Sequence, residues 1–142
     1  VSKSDTYEND LLKLIFQATA IANIADNAAS APNTNLYFAM HTADPGEAGN
    51  QSTSECTYTS YARVAVARSA AGFTVTGNSV STVNDVDFPT ATGGSETATH
   101  FSIGMASSGA GKILYSGSLS PAIVIASGVP PIISKTTTIT ED

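Results

Sequence analysis

The chain has 142 residues, 42% of them hydrophobic, 13% charged and none of them tryptophan. That length suits one ordinary domain with a real apolar core, and the expectation is a single domain over residues 1–142. A net charge of −6, with only six scattered basic residues, excludes the clustered cations that phosphate binding requires. The expectation is therefore no direct nucleic-acid partner.

Cys56 is the only cysteine, so an intrachain disulfide and a cysteine-rich zinc site are both excluded. The longest apolar stretch, Leu11 to Ala25, contains Lys13, Gln17 and Asn23 and is too short to span a bilayer. The opening residues do not read as a secretory leader. A soluble protein with no membrane partner is expected.

The first element in chain order is a helix. Asp5 stands three residues before Glu8, the spacing of a capping box. Leu11, Leu14, Ile15, Ala18, Ile21, Ala22 and Ala25 then recur at helical spacing, and Asp26, Asn27 and Pro32 close the segment. Leu12, Phe16 and Ile24 widen the apolar surface, so a second surface must cover it. That cover is either the chain's own sheet or a neighbouring subunit. Residues 1–35 read as an N-terminal arm and helix, and 36–142 as a β-sandwich.

Strands follow. Leu36–Thr42 is stopped by the turn Ala43-Asp44-Pro45-Gly46, and a polar loop runs to about Thr57. Tyr61–Arg68 alternates. Phe73–Thr76, Ser79–Val83 and Val86–Phe88 are short runs broken by Gly72, Gly77-Asn78 and Pro89. His100–Met105, Ile113–Leu119, Ala122–Ala126 and Ser134–Thr140 complete eight or nine strands with no helices between them. The fold class expected is mainly β, an antiparallel jelly-roll-like sandwich with one N-terminal α-helix.

Reactive constellations are sparse. Gly109-Ala110-Gly111-Lys112 has a phosphate-loop flavour, but Ala106 and Ile113 occupy the positions that need Gly and Ser or Thr. The segment also joins two strands, and reads better as a hairpin turn. His41 and His100, with Asp44, Asp85 or Asp87, are the residue types that hold a metal, yet no ligand spacing joins them. Asp85 and Asp87, with Asp44 or Glu47, match no calcium loop. Ser102 and Ser107 lie near His100 without a nucleophile elbow. Tyr58 and Tyr61 are either interface anchors or packing at the rim of a sheet. No catalytic residue, cofactor or metal is assigned, and the chain is not expected to be an enzyme.

Two segments carry a recognisable pattern. Leu36-Tyr37-Phe38-Ala39-Met40-His41-Thr42-Ala43-Asp44-Pro45-Gly46-Glu47-Ala48-Gly49 resembles a stretch of small tailed-bacteriophage virion proteins. Glu55 followed by Tyr61-Ala62-Arg63-Val64 is similar to its continuation, as are Phe88-Pro89, His100-Phe101 and Ile113-Leu114-Tyr115-Ser116-Gly117. The resemblance is to the capsid-decoration or cementing family. It implies a jelly-roll-like protein on the outer surface of an HK97-like head, assembled in the bacterial host cytoplasm. There it would bridge neighbouring major capsid proteins as a homo-oligomer, a homodimer or a trimer.

The alternatives are a tail or tail-fibre-associated structural protein, and a receptor- or carbohydrate-binding module. Three segments offer contact area: the N-terminal helix, for self-association, the Glu47–Thr59 loop, and the C-terminal strand ending at Asp142, an edge open to pairing.

Overall fold

The computed structural model describes residues 4–21 and 32–141. Their elements are mainly β, in antiparallel pairs, with one helix at the N-terminal end, as the sequence leads one to expect. The described residues form two compact units. One draws on Val1–Asn35, Val66–Asp85 and Ser134–Asp142, the other on Leu36–Ala65 and Val86–Ile133.

The first unit contains α1 (Asp5–Gln17) and the strands β3 (Phe73–Thr76), β4 (Ser79–Thr82) and β9 (Thr138–Thr140), ordered β3-β4-β9. The helix cap is Ser4 rather than Asp5. Its backbone is extended and its Oγ accepts from the Tyr7 N–H at 3.4 Å. Asp5 and Glu8 instead occupy the first turn, where carboxylates complement the helix dipole. The buried face is also rotated from the expected stripe. Leu12 and Phe16 are fully buried, whereas Leu11, Leu14 and Ile15 are only half-buried. Phe16 meets Phe73 edge-on, with ring centroids 4.9 Å apart.

The helix stops at Gln17, well short of the expected Asp26. Ala18 adopts the left-handed conformation at φ 55°, and the Thr19 N–H turns back to the Lys13 carbonyl at 3.1 Å. Ala22 and Ala25 of the expected stripe lie outside the described residues.

Arg68 reinforces this end. Its Nε donates to Ile15 O and its Nη2 to Leu14 O, both at 2.6 Å, while Nη1 reaches Asn33 O at 3.2 Å. A cation thus serves helix carbonyls that have no partner within the helix. The last strand is shorter than expected. Residues 134–137 form a turn in which Thr137 N–H bonds Ser134 O and Lys135 N–H bonds Asp85 Oδ1. β9 lies at the edge of its sheet.

A four-stranded sheet is ordered β2-β1-β6-β7, with β1 at Asn35–His41, β2 at Val64–Ala67, β6 at Glu96–Gly104 and β7 at Ile113–Ile125, and the second unit takes β6, β7, β1 from Leu36 and β2 up to Ala65. A small pair, β5 (Val86–Asp87) and β8 (Ile132–Ile133), stands beside it in sequence. β1 is buried at every position from Phe38 to His41, so both of its faces are covered. Phe38 stacks on Phe101 of β6, with centroids 6.4 Å apart. The expected strand Tyr61–Arg68 is reduced to Val64–Ala67: the Tyr61 N–H closes a turn on Tyr58 O at 2.9 Å, so the backbone there is not laddered.

β7 joins two expected strands into one. His100 faces Ser118 and Ala98 faces Ile123, so Thr99 stands opposite the four residues Leu119–Ala122. The paired halves on either side of this bulge are the two runs the sequence shows, Ile113–Leu119 and Ala122–Ala126. Gly109-Ala110-Gly111-Lys112 lies in the β6–β7 hairpin connection, as its sequence suggests.

One substitution tests the helix stop. Ala18 pays for its left-handed backbone with steric strain that glycine lacks. Ala18→Gly is expected to raise stability by about 0.5–1 kcal/mol, read as a higher midpoint in chemical denaturation. An unchanged or lower midpoint would remove Ala18 from the account of how the helix ends.

Candidate functional site

The residues that carry the phage resemblance converge in the second unit, on the loop between β1 and β2. The loop opens with a turn closed by the Gly46 N–H on Asp44 Oδ1 at 2.9 Å. Gly46 has φ 69°, and a side chain on Gly49 would collide with the Pro45 carbonyl. The motif's Asp, Pro and Gly residues are thus accounted for by backbone geometry. Asp44 and Glu47 remain exposed.

His41 ends β1 with no exposed surface. Its Nδ1 lies 2.8 Å from Thr53 O and its Nε2 2.8 Å from Ser102 Oγ. A carbonyl can only accept, so Nδ1 carries the proton and the Ser102 hydroxyl donates to Nε2. Burial lowers the His41 pKa, outweighing the raising effects of the Thr53 carbonyl and Glu55. The pairing has the form of a nucleophile and its base, but Ser102, like His41, has no exposed surface. The bonds pin the loop to the sheet. The sequence placed Ser102 near His100, whereas the structure gives it to His41. His100 is the cross-strand partner of His41 and bonds Thr99 Oγ1.

Glu55 and Arg63 form a second pin. Arg63 Nε reaches Glu55 Oε1 at 2.7 Å and Nη2 reaches Oε2 at 2.8 Å, a bidentate pair. The other edges of the guanidinium collect carbonyls from the β6–β7 connection: Ala106 O at 3.0 Å and Gly109 O at 2.7 Å. Tyr61 links this pair to β1. Its hydroxyl donates to Glu55 Oε1 at 2.9 Å and accepts from the Met40 N–H at 3.1 Å. Burial pushes the Tyr61 pKa strongly upward, so the phenol stays protonated as a donor.

Gln51 is the third pin, and is fully buried. Its Nε2 donates to Tyr37 O, its Oε1 accepts from the Ala106 N–H, and its own N–H donates to Gly111 O at 2.8 Å. A side chain on either Gly104 or Gly111 would collide with the Gln51 amide. Of the two glycines in the Gly109-Ala110-Gly111-Lys112 turn, Gly111 makes room for this side chain, whereas Gly109 meets nothing within 4 Å and serves a positive φ of 72°.

Glu96 supplies the last anchor. Its Oε1 accepts from the Thr57 and Tyr58 N–H groups, both at 2.8 Å. Cys56 is buried beside it, and desolvation and the Glu96 charge push its thiol pKa up to about 12. Tyr58 is buried rather than an exposed anchor, with its hydroxyl on Pro89 O at 2.8 Å. Its ring meets Tyr61 edge-on, and Tyr61 in turn stacks on Phe88.

Gln51 and Glu96 carry no sequence signal, and Ser102 stands out in the sequence only beside His100, because each acts on backbone or side chains distant in the chain. Among the described residues, no three His, Cys, Asp or Glu side chains gather as metal ligands would. What the cluster does chemically is satisfy loop carbonyls and amides and so fix two loops, 42–60 and 105–112, in one shape.

A model of the family described as podophage GP4 fiber I protein gp80 matches residues 2–140. None of the curated proteins matches the chain.

Two outcomes follow from the pins. Glu55→Gln leaves Arg63 desolvated without its counter-charge, and is expected to destabilise the unit by about 2–3 kcal/mol. Denaturation would read the loss, and amide exchange would show residues 105–111 losing protection with it. A stability within error of the parent would mean the pair is dispensable.

His41 sets a pH dependence. Its folded pKa lies below the ordinary 6.5, so the unfolded chain takes up a proton first as pH falls. The stabilisation is present above 6.5 and is lost as pH falls toward the folded pKa. Replacing His41 with Gln should flatten that part of the stability–pH curve, measured from pH 7.5 downward.

Proposed function

The chain belongs to the podophage GP4 fiber I protein gp80 family, of phage structural proteins, and we propose that it is a fibre-associated component of the virion tail. The observation that carries this reading is the extent of the match, residues 2–140, which takes in both compact units. The family description names a fibre. It gives no support to the outer face of the head, so the fibre reading stands ahead of capsid cementing.

The site supports a structural role by the way its polar groups are used. Glu55, Tyr61, Arg63, Gln51 and His41 hold backbone and one another. The partner we infer is protein: another virion component or a further copy of this chain. An acidic chain with scattered lysines favours such a surface over nucleic acid. The same use of polar groups favours a non-enzymatic role, since the Ser102–His41 pair is wholly buried.

Immunogold labelling of purified virions with antibody to the folded chain tests the assignment. Label on the fibres is expected. Label distributed over the head shell would overturn the fibre reading and restore capsid decoration, and label absent from the particle would remove the chain from the virion.

A further inference from the structure

Three titratable side chains hold residues 53–57 of the long loop, and all three hold them in the deprotonated form. His41, at the end of β1, donates from Nδ1 to Thr53 O and accepts from Ser102 Oγ at Nε2. Glu55 uses both carboxylate oxygens, with Tyr61 Oη and Arg63 Nε on one and Arg63 Nη2 on the other. Glu96, in β6, takes the Thr57 and Tyr58 N–H groups on one oxygen. Anchors that need no titration bound the stretch on either side. Gln51 holds Tyr37 O and the Ala106 N–H, and the Tyr58 hydroxyl holds Pro89 O.

Protons act on the three in one direction. An imidazolium has two donors and no acceptor, so the Ser102 hydroxyl loses the nitrogen it bonds, in a place with no exposed surface. A proton on Glu55 occupies an oxygen that a donor now uses. It also removes the counter-charge of Arg63, whose side chain is 2% exposed. A neutral Glu96 still accepts, but without the charge that makes such bonds roughly twice as strong.

The neighbouring groups do not reverse this. Glu55 favours a charge on His41, Arg63 and His100 oppose it, and burial is the largest influence, directed against it. Cys56, Tyr58 and Tyr61 stand beside the carboxylates and are kept protonated by burial, the first two with pKa values pushed up to about 12. Acid therefore leaves these three unchanged, and Arg63 with them.

We propose that residues 53–57 form an acid-released clasp: proton uptake by His41, Glu55 and Glu96 frees this stretch from the sheet while the rest of the unit stays folded. Two backbone bonds remain to hold it to the end of β1, Thr42 N–H to Ser54 O at 2.8 Å and Cys56 N–H to Met40 O at 2.9 Å. β1 itself is laddered to β6 from Tyr37 to His41. Elements with few bonds open before laddered ones, so the loop is released ahead of the sheet. His41 sets where release begins. With the loop closed its pKa lies below 6.5, and water reaching the ring restores the ordinary value. The open form therefore takes up the proton first, and opening grows as pH falls below 6.5.

Cys56 reports on the clasp, being the chain's only cysteine and 1% exposed. Labelling by a pyridyl disulfide, which reacts with thiols in acid, is measured on the full chain. Each rate is divided by that of the urea-unfolded chain at the same pH. The ratio is expected to rise by about tenfold or more between about pH 7 and about pH 4. Circular dichroism and the amide protection of the β1–β6 ladder should hold over that range. His41→Gln and Glu96→Gln each keep an amide oxygen as acceptor and remove one titration. Each should cut the rise several-fold, and the double variant should remove most of it.

A ratio that stays flat, or rises only where circular dichroism is lost, overturns the proposal. A rise that Glu96→Gln leaves intact makes His41 a lone trigger and overturns the shared clasp. Where one variant is unfolded at neutral pH, the other decides.

Discussion

The arrangement of the second unit depends on one guanidinium. A loop as long as that between β1 and β2 carries many backbone carbonyls and amides, and each one that leaves water needs a partner. Arg63 answers this with a planar fork of donors, two edges of which grip Glu55 while the rest reach Ala106 and Gly109. An apolar residue at this place would add buried area and leave those carbonyls unsatisfied. A lysine would offer a point charge without the fork. The negative partner is as necessary as the donor, because a half-buried cation without one is costly.

The first unit uses the same device for a different purpose. Arg68, at the other end of β2 in sequence, gathers Leu14, Ile15 and Asn33 carbonyls and so finishes the helix. Both arginines of the chain are therefore occupied with backbone, and the lysines are the remaining cations. This explains how a chain with few charges keeps two of its six basic residues away from open solvent. It also explains why charge counting alone says little about this protein's partners.

Strand positions were legible because alternation and punctuation are local. Gly77-Asn78 gives the β3–β4 turn, and the break between Leu119 and Ala122 is visible as a bulge even though the chain continues as one strand. The helix cap was misplaced by one residue because Ser4 and Asp5 are both good caps, and backbone conformation decides between them. The end of the helix was less legible still. It depends on a non-glycine residue taking a left-handed conformation, stabilised by Arg68 from far along the chain. The pins share that property. Gln51 means nothing until Gly104 and Gly111 are brought beside it, and Ser102 sits two residues from one histidine yet bonds the other. The resemblance did mark Glu55, Tyr61, Arg63 and His41 as a set. What it marked was the scaffold of two loops.

The scaffold and β7 are physically connected. Gln51 and Arg63 hold the connection from Ala106 to Gly111, which delivers the chain into β7 at Ile113. On its other side β7 is laddered to β6 from Ile113 to Ser118. The first half of β7 is thus fixed at its start and along one side. The buried polar cluster therefore acts beyond the loop that holds it: loosening it would release the hairpin connection and add an ordering cost to the strand that the connection feeds.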